Sequence, residues 1–84
     1  MASIVEFLTT RFHSVEKATD GKTLIVMGAR EDRDFHVEGD DRHGFTIRTF
    51  NKGVWDGGGE VTAPSRTGLQ KGLIAMGAAR RDLP

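Results

Sequence analysis

Two stretches of strict alternation constrain this chain more than anything else in it. From Asp34 to Gly39, Phe35 and Val37 face one way and Asp34, His36 and Glu38 the other. From Phe45 to Phe50, Phe45, Ile47 and Thr49 oppose Thr46, Arg48 and Phe50. A period of two belongs to a β-strand with one buried face. Between the two lies Asp40-Asp41-Arg42-His43-Gly44, a run of residues that tolerate tight backbone. The segment therefore reads as an antiparallel hairpin, and the rest of the chain has to cover its apolar face. Asn51-Lys52-Gly53 is a second, shorter hairpin loop, with glycine at the left-handed position, and it leads into a strand starting at Val54-Trp55-Asp56. Gly57-Gly58-Gly59 then bends or weakens that strand, and Glu60-Val61-Thr62 resumes it. Upstream, Thr23 to Gly28 is a strand apolar on both faces, which suits the interior of a sheet.

Two segments carry helical periodicity. Ile4, Val5, Leu8, Phe12 and Val15 cluster on one side of a helical wheel, and Ser3 followed by Glu6 forms a capping box. The pattern predicts a helix over residues 3–18, ended by Thr19-Asp20-Gly21; a rival reading makes 12–28 a hairpin turning on Asp20-Gly21. The second helix is predicted over 64–79, with Pro64 near its first position. Its stripes are Leu69, Leu73 and Met76 beside Gly68, Gly72, Ala75 and Ala79, with Ile74 outside both, and Arg80 and Arg81 at the negative end of its dipole. The expected fold is α+β in the order α-β-β-β-β-α, a three- to four-stranded antiparallel sheet with both helices on one face.

With 84 residues and no cysteine, the chain is expected to be one small domain, 1–84, held by a single two-layer core and no disulfide. Apolar runs such as Leu24-Ile25-Val26-Met27 fall far short of the roughly 20 residues of a membrane-spanning helix. The N-terminus lacks the basic start and apolar stretch of a signal peptide, so a cytoplasmic location is expected. Twelve basic and twelve acidic residues cancel, which argues against non-specific nucleic-acid binding. The charge is nonetheless divided: six acids lie between Glu31 and Asp41, and four bases with no acid between Arg66 and Arg81.

Four constellations invite a chemical reading. Asp34, His36, Glu38, Asp40, Asp41 and His43 are ligand types for a transition ion, but they match no metal signature, and a solvated strand face accounts for them. Gly57-Gly58-Gly59 is too far from the following helix to cradle a phosphate, and no Lys-Ser/Thr pair follows it. No hydroxyl lies in a G-x-S-x-G frame, and no cofactor is implied. Gly68 and Gly72, four apart inside a helix, imply close approach by another element.

The order helix–three strands–helix resembles the double-stranded RNA-binding domain in topology alone. That resemblance implies a phosphate-gripping, lysine-rich motif at the start of the second helix, where this chain has Pro64-Ser65-Arg66-Thr67-Gly68-Leu69-Gln70-Lys71, with Arg66 and Lys71 as its bases. The neutral charge and acidic second strand depart from the pattern, and the family is not assigned.

The expectation is therefore a small non-enzymatic module that binds another protein, in its specific form an inhibitor or regulator of a larger macromolecular assembly. The expected partner surface comprises Arg48, Phe50, Lys52, Trp55, Gly57, Gly58 and Gly59, because an aromatic pair and a guanidinium beside a glycine loop are the residue types of interface anchors. The alternatives are a nucleic-acid-binding domain using Arg48, Lys52, Arg66, Lys71, Arg80 and Arg81, and a small metal-dependent enzyme around His36 and His43.

Overall fold

A computed structural model describes residues 2–30 and 32–81. The fold is α+β, two helices and one antiparallel sheet. In chain order the elements are α1 (Ile4–Thr9), β1 (Val15–Lys17), β2 (Leu24–Met27), β3 (Arg33–Asp40), β4 (Gly44–Asn51), β5 (Val54–Trp55), β6 (Val61–Ala63) and α2 (Arg66–Met76). The sheet runs β1-β2-β3-β4-β5, and β6 also pairs with β4.

The central hairpin follows the alternation in the sequence. β3 and β4 pair from Arg33↔Asn51 to Asp40↔Gly44, which sets Phe35 opposite Thr49 and Val37 opposite Ile47. The Asp40 carboxylate closes the turn by accepting from the backbone N–H groups of Arg42 and His43 at 3.0 and 2.7 Å. At the next hairpin Lys52 and Gly53 both have positive φ, +51° and +80°, the mirror-image turn whose twist matches that of its strands. β5 then pairs with β4 through Phe50↔Trp55. Had it continued in register, Ile47 would face Gly58; it faces Val61 instead. The edge strand thus holds an outward loop, residues 56–60, between its two halves.

The expected helix over 3–18 is much shorter. Ser3 caps α1, its hydroxyl accepting from Glu6 N–H at 3.1 Å, but the helix stops at Thr9. Residues 15–27 instead form the hairpin of the rival reading. The Asp20 carboxylate accepts from the N–H groups of Lys22 and Thr23, both at 2.8 Å, and from the Thr23 hydroxyl at 2.7 Å. Val15 then pairs with Val26 on the core side. Phe12 is buried, as the helical wheel demanded, but from extended backbone bridged to Arg80. The sheet therefore has five to six strands where three or four were expected, and the helix–three strands–helix order behind the resemblance to the RNA-binding domain is not the observed one.

α2 also ends early. Ser65 is its N-cap, accepting from Gly68 N–H, and Gly77 closes it with φ +103°, the left-handed conformation that stops a helix. Ala78 and Ala79 continue as extended chain. Ala79 N–H donates to Met27 O at 2.9 Å, His13 N–H to Ala79 O at 2.8 Å and Arg81 N–H to Arg11 O at 3.0 Å. The segment is thereby stitched between residues 11–13 and the end of β2. Arg80 and Arg81 do not serve the dipole of α2; the Arg81 Nε donates to Thr9 O, at the C-terminal end of α1.

Leu8, Phe12, Leu69, Leu73 and Ala78 meet Leu24, Val26, Phe35, Val37, Phe45, Ile47 and Ala63 in one buried cluster. Ile74, expected outside the apolar stripes, is half-buried against that core. Gly72 lies over Ile47, where an added Cβ would sit 3.3 Å from Ile47 Cδ1. All these strand residues belong to one face of the sheet, so among the described residues the other face carries no helix.

Candidate functional site

The uncovered face is assembled by strand register. Glu16, Ile25, His36 and Arg48 form one row across β1 to β4, and Met27, Asp34, Phe50 and Trp55 form the next across β2 to β5. Alternation puts both rows opposite the core residues. Phe50 and Trp55 are direct cross-strand neighbours, a pairing in which side chains touch. Trp55 remains 48 % exposed and Met27 40 % exposed.

Phe50 also stacks on the His36 imidazole, with ring centroids 3.6 Å apart and planes 12° from parallel. The two residues sit diagonally across β3 and β4. Burial holds the His36 pKa below its ordinary 6.5, while the carboxylates of Asp34, Glu38 and Asp20 pull in the opposite direction. Burial has the larger effect, so the ring is neutral at pH 7.

Arg48 does not present a free charge. Its Nε donates to Glu60 Oε1 at 2.9 Å, and its Nη1 lies 3.3 Å from Glu38 Oε1. Both acids stabilise the charged guanidinium, chiefly through the Glu60 hydrogen bond, and raise its pKa. The contact ties the loop of residues 56–60 back to β4. Within that loop Gly57 and Gly59 have φ of +76° and +88°, and an added Cβ at either would meet nothing within 4 Å. Backbone conformation, not crowding, selects glycine there. Gly58 donates its N–H to Asp56 Oδ1 at 2.7 Å. Lys52 is exposed at the tip of the β4–β5 turn.

The face therefore brings Arg48, Phe50 and Trp55 together, with Lys52 and the three glycines along one margin. Sequence reasoning missed Met27, Ile25, His36 and Glu60 as members of this surface. The signal for Ile25 and Met27 was present, because a strand apolar on both sides must present one side to whatever lies opposite the core. The His36 stack and the Glu60 contact depend on diagonal and loop geometry that spacing alone does not reveal.

Carboxylates border the apolar row at its Met27 end. A cleft of about 180 Å³ lined by Ser14, Glu16, Ile25, Met27 and Asp34 opens at one end. A wider one of about 480 Å³, lined by Asp20, Lys22, Thr23, Glu38, Gly39 and Asp40, opens farther along β2 and β3, beside the β1–β2 and β3–β4 turns. Two of the acids raised as metal ligands, Asp40 and Asp41, already hold basic side chains. Asp40 holds His43, its Oδ1 3.0 Å from His43 Nδ1, and Asp41 receives both Nε and Nη2 of Arg66 at 2.7 Å. Among the described residues no three His, Cys, Asp or Glu side chains come together as a metal site.

The six bases considered for nucleic acid do not form one face. Arg48 lies between two glutamates on the open sheet face, Arg66 is taken by Asp41, and Lys71 and Arg80 belong to α2 and the segment after it. Among the described residues no helix is long and apolar enough to cross a membrane. Compared with known proteins, the chain matches no family model, no curated protein and no solved structure.

Proposed function

We propose that the protein is a small non-enzymatic module that binds another protein through the open face of its sheet. The observation that carries this reading is the Phe50–Trp55 pair: two large aromatics side by side, on the face opposite the helices, with Trp55 half in water. Aromatic anchors of this kind dominate binding energy when a partner desolvates them. The carboxylates around the row favour a partner that brings apolar side chains edged by bases. Arg48, already held by Glu38 and Glu60, acts as part of the rim's geometry more than as a free cation. Lys52 and Gly57 to Gly59 would flank the partner. An inhibitor or regulator of a larger assembly is the specific form proposed, and the cytoplasm the setting. Nucleic-acid binding has less support, because acids interrupt the six candidate bases.

The test is affinity recovery from a lysate of the source organism, with and without nuclease, using the parent, Phe50→Ala, Trp55→Ala and, as a control on α2, Lys71→Ala. Folding of each is checked by circular dichroism. A protein recovered in stoichiometric amount by the parent and Lys71→Ala, insensitive to nuclease and lost with folded Phe50→Ala and Trp55→Ala, supports the proposal. Equal recovery by all four, or recovery abolished by nuclease, overturns it.

A further inference from the structure

On the helical side of the molecule, away from the open sheet face, three arginines meet. We propose that the cleft they form between the end of α1, α2 and residues 78–81 binds a phosphoryl dianion, either free phosphate or the phosphate monoester of a small molecule. The cleft has a volume of about 120 Å³ and is lined by Thr10, Arg11, Gln70, Ile74, Arg80 and Arg81.

Two of the three guanidiniums are held in place through only some of their nitrogens. Arg11 lies over the Phe7 ring at 3.8 Å, its Nε donates to Gln70 Oε1 at 3.1 Å, and its Nη1 donates to Phe7 O and Thr10 Oγ1, both at 2.9 Å. Its Nη2 has no partner among the described residues. Arg81 donates Nε to Thr9 O at 2.8 Å, and both of its Nη groups stay unpaired among the described residues. Arg80 is positioned by its backbone bridge to Phe12, and its side chain makes no hydrogen bond among the described residues. No carboxylate among the described residues lies within ion-pair distance of any of the three, whereas Arg48 and Arg66 each hold one.

The carbonyl end of α1 therefore anchors two of these like charges and leaves Nη2 of Arg11 and both Nη groups of Arg81 without a partner among the described residues. A single carboxylate is satisfied by one arginine fork; several guanidiniums around one point suit a doubly charged group with more oxygens. The free amide of Gln70 adds a neutral donor, and Ile74 gives an apolar wall for a short substituent. The volume is well below the roughly 300–1,000 Å³ of cofactor and drug-sized pockets, so a nucleotide does not fit the enclosed part.

The experiment is an NMR titration of the intact chain at constant ionic strength, following the arginine Nε–H and Gln70 side-chain signals, with inorganic phosphate, phenyl phosphate and acetate as probes. Saturable shifts at Arg11, Arg81 and Gln70, with phosphate or phenyl phosphate binding more tightly than acetate, are expected; the tighter of the two identifies the source. Phenyl phosphate should bind better at pH 7.5 than at pH 5, as its second proton leaves near pH 6. Arg80→Ala, which removes no hydrogen bond seen in the fold, should weaken binding about tenfold. Lys71→Ala removes a cation outside the cleft and should leave it unchanged. Shifts that never saturate, acetate binding as tightly as phosphate, or equal losses for Arg80→Ala and Lys71→Ala overturn the proposal.

Discussion

Replacing Gly72 with leucine should destabilise the fold, and the size of the loss can be reasoned from the contact beneath it. Gly72 faces Ile47, a fully buried residue at the centre of the sheet, and even a bare Cβ would lie 3.3 Å from Ile47 Cδ1. A leucine adds three carbons beyond that point. Overpacking of this kind costs about 1–3 kcal/mol. Removing a glycine from a helix interior returns about 1 kcal/mol. The net expectation for Gly72→Leu is a loss of up to about 2 kcal/mol, which for a domain this size lowers Tm by up to about 16 °C. Gly68 provides the internal comparison. A Cβ there would meet Ala63 Cβ and Pro64 Cδ at 3.6 Å, an ordinary contact. Gly68→Ala should therefore gain about 0.5–1 kcal/mol from helix propensity alone.

The assay is thermal and urea unfolding followed by circular dichroism, with Ile47→Ala added to make a double-mutant cycle. Ile47→Ala alone should cost about 2–5 kcal/mol. In the Gly72→Leu background it should cost at least about 1 kcal/mol less, since the leucine can fill the vacated space. If Gly72→Leu is more stable than the parent, or the cycle shows no coupling, α2 does not pack on Ile47 as described.

Three further outcomes follow from local geometry. His36 titrates below its ordinary 6.5 in the fold, so its neutral form is the stabilised one: the parent should lose stability as pH falls below about 6.5, and His36→Gln should flatten that slope in urea melts at pH 7.5 and 5.0. Asp20 is depressed to about 2 by the Thr23 and Lys22 hydrogen bonds, so its contribution is present above its ordinary 3.8 and lost as pH falls from there toward 2; Asp20→Asn should shrink that acid loss. Lys52, at φ +51° ahead of Gly53, should gain about 0.5–1 kcal/mol in Tm-derived stability when replaced by asparagine, which tolerates the left-handed region better.

The β3–β4 hairpin was legible because everything that specifies it is local: alternating Phe35, Val37, Phe45 and Ile47, and a turn closed by Asp40 within three residues. The same local reading misjudged residues 10–18. Phe12 and Val15 fall on a helical stripe with Leu8, but burial can also be reached from extended backbone, and pairing of Val15 with Val26 decided the matter. α2 was expected to run to Ala79 because Ala79 continues the stripe of Gly68, Gly72 and Ala75; its backbone instead makes strand-like bonds to Met27 and His13. The proposed partner surface was legible as far as alternation could carry it, to the placement of Arg48 and Phe50 on the face away from the core. Arg48's neutralisation by Glu60, twelve residues on, and the Arg81 contact with Thr9, seventy-two residues back, lie beyond any local pattern.

Trp55 is the residue whose position asks most for an explanation beyond the fold. β5 is two residues long, and both of them are exposed, Val54 at 68 % and Trp55 at 48 %. Burial of a large aromatic is what usually justifies its presence in a small domain, and here about half of that gain is forgone. The pairing with Phe50 could be met by a threonine or valine, which suit an edge strand and expose less apolar surface. Trp55→Thr should consequently cost about 1.5–2.5 kcal/mol, half the range of a core aromatic, in the same unfolding assay. A loss of 3 kcal/mol or more, the range of a core aromatic, would mean that Trp55 holds the sheet together, and the open face would lose the residue on which its proposed binding role rests.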